Sequence, residues 1–357
     1  MQNATDLRKT LTQEAKAILS GSNESPAQIY DLAKRLAALS EFEFARRVLE
    51  KAYEKLSGDD APVLRLRIVQ KWALYTYKDT KLNREERFET ARKILIKEGA
   101  ISQTTDQETL GLAGAIYKRR WEVNSQKRDL EWALYYYSKG HQQGPEKDQG
   151  YTGINAAFVE DLLAHQEQRE AREVGGESET APERQARARA IRQEIIEHVV
   201  PLEAAFDLTK PEDWWWWVYA TVGEAYFGLG EYDRAVEWLV DRPRAAGLDI
   251  SPWMRESTER HLAALAVMQT DAATEAGFVQ SPAGVALTKL FGSPYTVGLI
   301  YLQREDAVRV GFERRFGLGL SGGGFRASLF HIGVLARLAE LDVLRHVEGL
   351  SCVSGGS

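Results

Sequence analysis

The sequence predicts a mainly α-helical protein built from helical repeats, passing near its C-terminal end into the beginning of an α/β domain. Three observations carry that expectation. From Asn3 to about His165 apolar residues recur at three- and four-residue spacing between short polar turns, the period of helices with one buried face. Large, small and aromatic residues then return at matching offsets in several helix pairs. The last stretch, residues 315–357, differs in kind: a short apolar run, a glycine cluster, a helical period, a second apolar run, and Ser354 among small residues.

The bulk composition narrows the function. A chain of 357 residues is long enough for two or more cores. With a formal net charge of -6 it lacks the overall basic character of a general nucleic-acid binder, whose phosphate contacts need a basic face. Cys352 is the only cysteine, so neither an internal disulfide framework nor a cysteine-based zinc site can form, which suits a reducing compartment. The first residues, MQNATDLRKTLTQEAKAILS, lack the apolar core of a signal peptide. No apolar run reaches the roughly 18 residues of a spanning helix. The expected location is cytoplasmic or membrane-peripheral.

The repeat is clearest at Tyr219, Val222, Gly223, Tyr226, Gly230, Tyr232, Ala235 and Leu239. An earlier copy reads Ile29, Leu32, Ala33, Leu36, Ser40, Phe42, Ala45, Leu49 and Ala52, matched in size but without the glycines. Another begins at Gly114 and Tyr117, takes an insertion of about seven residues, and resumes at Ala133, Tyr137, Gly140 and Pro145. Small residues belong where two helices cross closely, and the aromatics fill the space between neighbouring pairs. These offsets resemble the tetratricopeptide repeat; an ordinary antiparallel bundle would show similar residues, and both readings give a helical array. The segment from Glu108 to Leu163 also resembles the tetratricopeptide-like TRAFs-binding domain of apoptosis-signal kinases, which implies a partner-binding or regulatory module.

The chain thus divides into a tetratricopeptide-like region at 1–164, a charged insertion at 165–190, further helical repeats at 191–276, a connector at 277–314 and an α/β segment at 315–357. The insertion, beginning QEQREAREVGGESETAPERQ, is charge-dense and nearly free of large apolar residues. Such text buries too little surface to offset its ordering entropy, so an exposed loop is expected. Asp213 is placed to cap a helix opening on the run Trp214 to Trp217. Four successive tryptophans point all round a helix, so at least one should leave the core face. One more helix is expected over 251–276, with Trp253, Met254, Leu262, Leu265 and Met268 on its buried side. The Gly- and Pro-bearing text after it reads as a connector.

In the final segment, Phe316 to Leu320 reads as a buried strand, and Phe325, Leu329, Ile332, Leu335 and Leu338 have the helical period. Between them stand Gly322, Gly323 and Gly324. A strand feeding a glycine turn and a helix N-terminus aims several backbone N–H groups one way, which suits an anion. Arg326 in the first helical turn adds a positive charge or braces the turn. Val347 to Val353 form a second apolar run, and Ser354 follows with Gly356 two residues on. A serine at a tight strand-to-helix turn needs small residues two positions either side, the G-x-S-x-G pattern; Cys352 replaces the first glycine here.

Together SGGGFR at 321–326, the continuation SLFHIGVLARL and VSGGS about thirty residues later look like the patatin-like phospholipase family. That resemblance implies a three-layer α/β domain hydrolysing lipid acyl esters, with Ser354 as nucleophile and Gly322, Gly323, Gly324 and Arg326 forming the oxyanion site. Ser321, Ala327 and Cys352 depart from the family's usual residues. The family's base is an Asp from a later D-G-G or D-G-A motif. No such motif follows Ser354 in these 357 residues, so the expectation is that this chain alone is inactive, the front part of a longer enzyme. The alternative is a partner-binding helical-repeat module with an incomplete hydrolase segment.

Other readings are weaker. Gly317, Gly319 and Gly322 satisfy G-x-G-x-x-G with Asp342 twenty residues on, but two of these glycines fall inside the first strand and Asp342 precedes the second. No G-K-[ST] follows, which excludes a P-loop. His331 and His346 stand in helix and turn, where structural roles are expected. No cofactor or metal is called for. The expected partners are a lipid or membrane-surface ester and a protein held by the repeats, and the sequence leaves the oligomeric state open.

Overall fold

The computed structural model describes residues 2–57, 62–97, 103–207, 214–248, 250, 252–270, 275–291, 316–322, 324–340 and 347–353. The chain divides into two compact units, Met1–Ala225 and Tyr226–Ser357. The boundary falls inside a helix of the best-matching repeat.

The first unit is a run of helices: α1 (Gln2–Leu19), α2 (Pro26–Ala38), α3 (Phe42–Glu54), α4 (Pro62–Lys78), α5 (Arg84–Lys97), α6 (Gln107–Asn124), α7 (Lys127–His141), α8 (Tyr151–Glu173) and α9 (Ala181–Val199), then the start of α10 (Trp215–Gly228). Successive helices pack on one another from α2 to α9. The alternate pairs α2 and α4, α4 and α6, and α6 and α8 also touch. That second set of contacts marks a stacked array of hairpins, in which each repeat meets only its neighbours.

Helix α4 shows how the stacking works. Ile68 joins a core with Leu11, Ile29, Leu36 and Leu49, while the next residue, Val69, joins a core with Phe88, Leu95, Leu110 and Ile116. One helix therefore closes the first hairpin and opens the next. The copy read at 29–52 lies on α2 and α3, with Ile29, Leu36, Ala45, Leu49 and Ala52 fully buried. In the third copy the glycines mark close crossings. A Cβ on Gly114 would lie 2.8 Å from the Tyr137 ring, and one on Gly140 2.6 Å from Thr152. The residues added in that copy extend α6 to Asn124, with no long loop before α7 at Lys127.

Local chemistry sets the helix ends. Ser25 and Gln28 form a reciprocal capping box on α2, and Asp106 accepts from the Thr109 amide at the start of α6. The hairpin after α2 turns through Ser40 at φ 61, with the Glu41 amide reaching back to the Leu36 carbonyl. The best-matching copy turns in the same way through Gly230, with Glu231 bonded to Tyr226. This is a Schellman cap, which requires a left-handed residue.

The charge-dense segment 165–190, expected as an exposed loop, is mostly helix. Helix α8 runs to Glu173 and α9 starts at Ala181, leaving only a short turn. Its charges are paired across the two helices: Arg184 bonds Glu160 and Glu167, Arg187 bonds Glu160, and buried Arg192 bonds Asp161. Composition missed this because ion pairing, together with buried Ala188 and Ile195, supplies what large apolar residues did not.

In the second unit, α11 (Tyr232–Val236) runs through a π turn at Glu237–Asp241 into α12 (Arg242–Ala245), followed by α13 (Pro252–Met268), α14 (Glu275–Gln280) and α15 (Pro282–Phe291). On α13, Met254, Leu262 and Leu265 are buried and Met268 is half-buried; the Trp253 side chain lies outside the described residues. The connector expected from 277 is helical as far as Phe291. Pro282 stands at a helix start, where its missing N–H costs nothing, and the Gly284 amide donates to Ser281 Oγ at 3.1 Å. Strands β1 (Phe316–Leu320) and β2 (Val347–Cys352) pair in parallel, with α16 (Gly324–Glu340) between them in sequence.

Candidate functional site

Two places carry chemistry. The first is the strand, turn and helix that the sequence singled out. In β1 and β2, Leu318 pairs with Leu350, Gly319 with Ser351 and Leu320 with Cys352, and the Val353 amide continues the ladder to the Leu320 carbonyl at 3.3 Å. Both strands therefore end level, and Ser321 and Val353 leave the same carboxyl edge. That edge is where open α/β sheets place ligands.

Gly322 is exposed. Gly324 opens α16 at φ 64 with free space where a side chain would sit. Arg326 is exposed on the first turn of α16. His331 is buried and donates through Nε2 to the Ser321 carbonyl at 2.9 Å, so it braces the turn, the structural role expected of it. Gly317 and Gly319 stand within β1, as the argument against a dinucleotide fingerprint required. Ser354, Gly323, Asp342 and His346, among them the serine expected as nucleophile and one glycine expected at an oxyanion site, lie outside the described residues.

The second place was not singled out by the sequence. Ala73 on α4 and Gly114 on α6 are buried small residues, Gly114 at the close approach of the Tyr137 ring. Tyr77 and Lys78 stand four and five positions beyond the first, Lys118 and Arg119 four and five beyond the second. Equivalent steps of a stacked array face the same way, and α4 packs on α6, which packs on α8. Helix α8 adds Tyr151 and Asn155.

Lys118 is buried, donates to Asn155 Oδ1 at 2.7 Å, and stands over the Tyr137 and Phe158 rings at 5.8 and 5.5 Å. Arg119 chelates Glu122 at 2.7 and 2.9 Å. Tyr137 and Tyr151 meet edge to face at 6.3 Å. Burial lowers Lys78 to about 8, and the charges of Arg119 and Lys71 press it the same way. Burial raises Tyr77 and Tyr151 above the ordinary tyrosine value, although Tyr151 is 41% exposed. The sequence signal was present in the repeat register, but a basic pair on a helix reads as solvated surface until its neighbours are known.

The exposed member of the tryptophan run stands before α10, not on a face of it, and within the helix Trp217 is half-buried. Trp215 and Trp216 are buried and Trp214 is exposed, with Trp215 stacked on Phe206 at 4.4 Å. Asp213, the expected cap, lies outside the described residues.

A family model described as Tetratricopeptide Repeats-Sensor matches residues 41–160, the span that contains α3 to α7 and the start of α8. Comparison with curated proteins and with solved structures gave no match. The chain thus carries a tetratricopeptide-like helical region. No helix among the described residues is long and apolar enough to cross a membrane.

Proposed function

We propose that the chain is a partner-binding, sensor-type helical-repeat module. The observation that carries this reading is the match of residues 41–160 to the Tetratricopeptide Repeats-Sensor description, supported by a stack of hairpins in which α4 packs on α6 and α6 on α8. Arrays of this kind present extended concave surfaces to their ligands. The test is affinity capture of a partner by the chain, followed by titration with the identified partner. Tyr77→Ala and Tyr151→Ala together should weaken that binding about tenfold, in keeping with aromatic hot spots. Unchanged binding would remove this face of α4 and α8 from the reading.

A second reading, that the C-terminal segment belongs to a patatin-like lipid acyl hydrolase, is favoured by the level carboxyl ends of β1 and β2 at the glycine turn. In that reading Ser354 Oγ attacks the acyl carbonyl and its proton passes to a carboxylate base. The amides of Gly322, Gly323 and Gly324 hold the oxyanion while Arg326 braces the turn. The test is hydrolysis of a short-chain p-nitrophenyl ester by the full-length protein. Turnover that survives Ser354→Ala would sink this assignment.

A further inference from the structure

Helices α6 and α7 together carry a group of four aromatic side chains, of which the repeat register accounts only for Tyr117. Tyr117, Trp132 and Tyr136 stand with ring centroids 5.7 or 6.0 Å apart and planes within 27° of one another. Nearly equal separations rule out a single column, so the rings spread over a face as a plate. Tyr135 stands upright against Trp132 and Tyr136, at 86° and 77°. Tyr136 lies in the core of Val69 and Phe88 and Tyr117 packs against it, which anchors the plate, whereas Trp132 and Tyr135 are 37% and 45% exposed.

The charges around these rings are already matched. Arg92 donates to Glu89 at 2.6 and 2.9 Å. Arg120 stands 5.5 Å from the centre of the Tyr117 ring and lies 3.8 Å from Glu89 and 3.7 Å from Asp129. A further cation would meet two guanidinium groups there, and an anion would have to displace Glu89. What is left to a ligand is aromatic faces, an indole N–H and a hydroxyl.

We propose that this plate docks a proline-rich segment of a partner protein in the polyproline II conformation. The inference rests on the partner-binding reading and names the partner's chemistry. Such a segment is uncharged, lays its rings on aromatic faces, and offers carbonyl acceptors without N–H donors at its prolines. It arrives already extended, so it binds at little ordering cost. A docked helix would need an apolar groove for one whole face, yet the exposed neighbours of Trp132 on α7, Arg128 and Glu131, are charged.

The experiment is isothermal titration of the whole chain with decaproline and, in parallel, with a leucine–lysine helical peptide of equal length. Saturable decaproline binding is expected. Trp132→Ala and Tyr135→Ala should each weaken it about tenfold, the scale of an aromatic hot spot. Tyr135→Phe keeps the ring and should cost about threefold through the lost hydroxyl. Trp214→Ala removes an exposed tryptophan elsewhere and should leave binding unchanged. Thermal melts of each variant separate lost binding from lost fold.

Binding of the helical peptide without decaproline would overturn the proposal, as would decaproline binding indifferent to Trp132 and Tyr135. If decaproline fails while a captured protein partner still needs Tyr77 and Tyr151, the proline inference falls and the module reading stands. If both fail, the module reading falls with it.

Discussion

Glu167 accepts from Thr180 Oγ1, Arg184 Nε and Lys127 Nζ at 2.6, 2.9 and 3.0 Å. Burial would raise its carboxyl, but these three donors hold it down at about 2. In the unfolded chain the carboxyl returns to an ordinary value near 4.5, so between the two values the folded form binds fewer protons. The stabilisation is therefore whole at neutral pH and is lost as pH falls through that window. Glu167→Gln should lower stability by about 2 kcal/mol at pH 7 and by progressively less toward pH 3, read as the shift in urea midpoint at each pH. A penalty independent of pH would mean that the site works through packing alone. None of this was legible in the letters, because the acceptor on α8 and its donors on α7, α9 and the intervening turn are joined only by the fold.

At the scale of helices and turns the sequence was more informative, and where it failed the reason is specific. The offsets placed Ser40 where the best copy has Gly230, and both residues are left-handed, at φ 61 and φ 83. A serine there bears a strain that glycine does not. Ser40→Gly should raise stability by up to about 1 kcal/mol and Gly230→Ala should lower it by about as much, measured by thermal melts of the two variants. Matching signs would break the equivalence of the two turns. Helix periodicity worked for α2 and α3 because one face of each meets apolar neighbours, and α6, buried nearly all round from Thr109 to Ile116, was legible through its small and aromatic offsets instead. Periodicity failed at 165–190, where the α8 and α9 faces meet through Arg184, Arg187 and Glu160, and at 277–291, where Pro282 and Gly284 start and fit a helix instead of breaking one. At the C-terminal turn the strand, helix and strand were all legible, while Ser354 and Gly323 lie outside the described residues and stay expectations.

Across the first unit, order along the chain is also order in space, and stability should follow that order. In an array where each hairpin meets only its neighbours, stability is a sum of local and nearest-neighbour contributions, and regions open separately according to their own burial. Helix α8 is buried nearly all round from Thr152 to Glu160, whereas Leu36 belongs to the first core with Ile29, Leu49 and Ile68. Leu36 is fully buried, so Leu36→Ala should cost about 3 kcal/mol of local stability. Hydrogen exchange should then quicken in α2 and α3, less in α4, and remain unchanged in α8 and α9. Uniform acceleration from α2 through α9 would make the unit one cooperative block, and the nearest-neighbour account would fail.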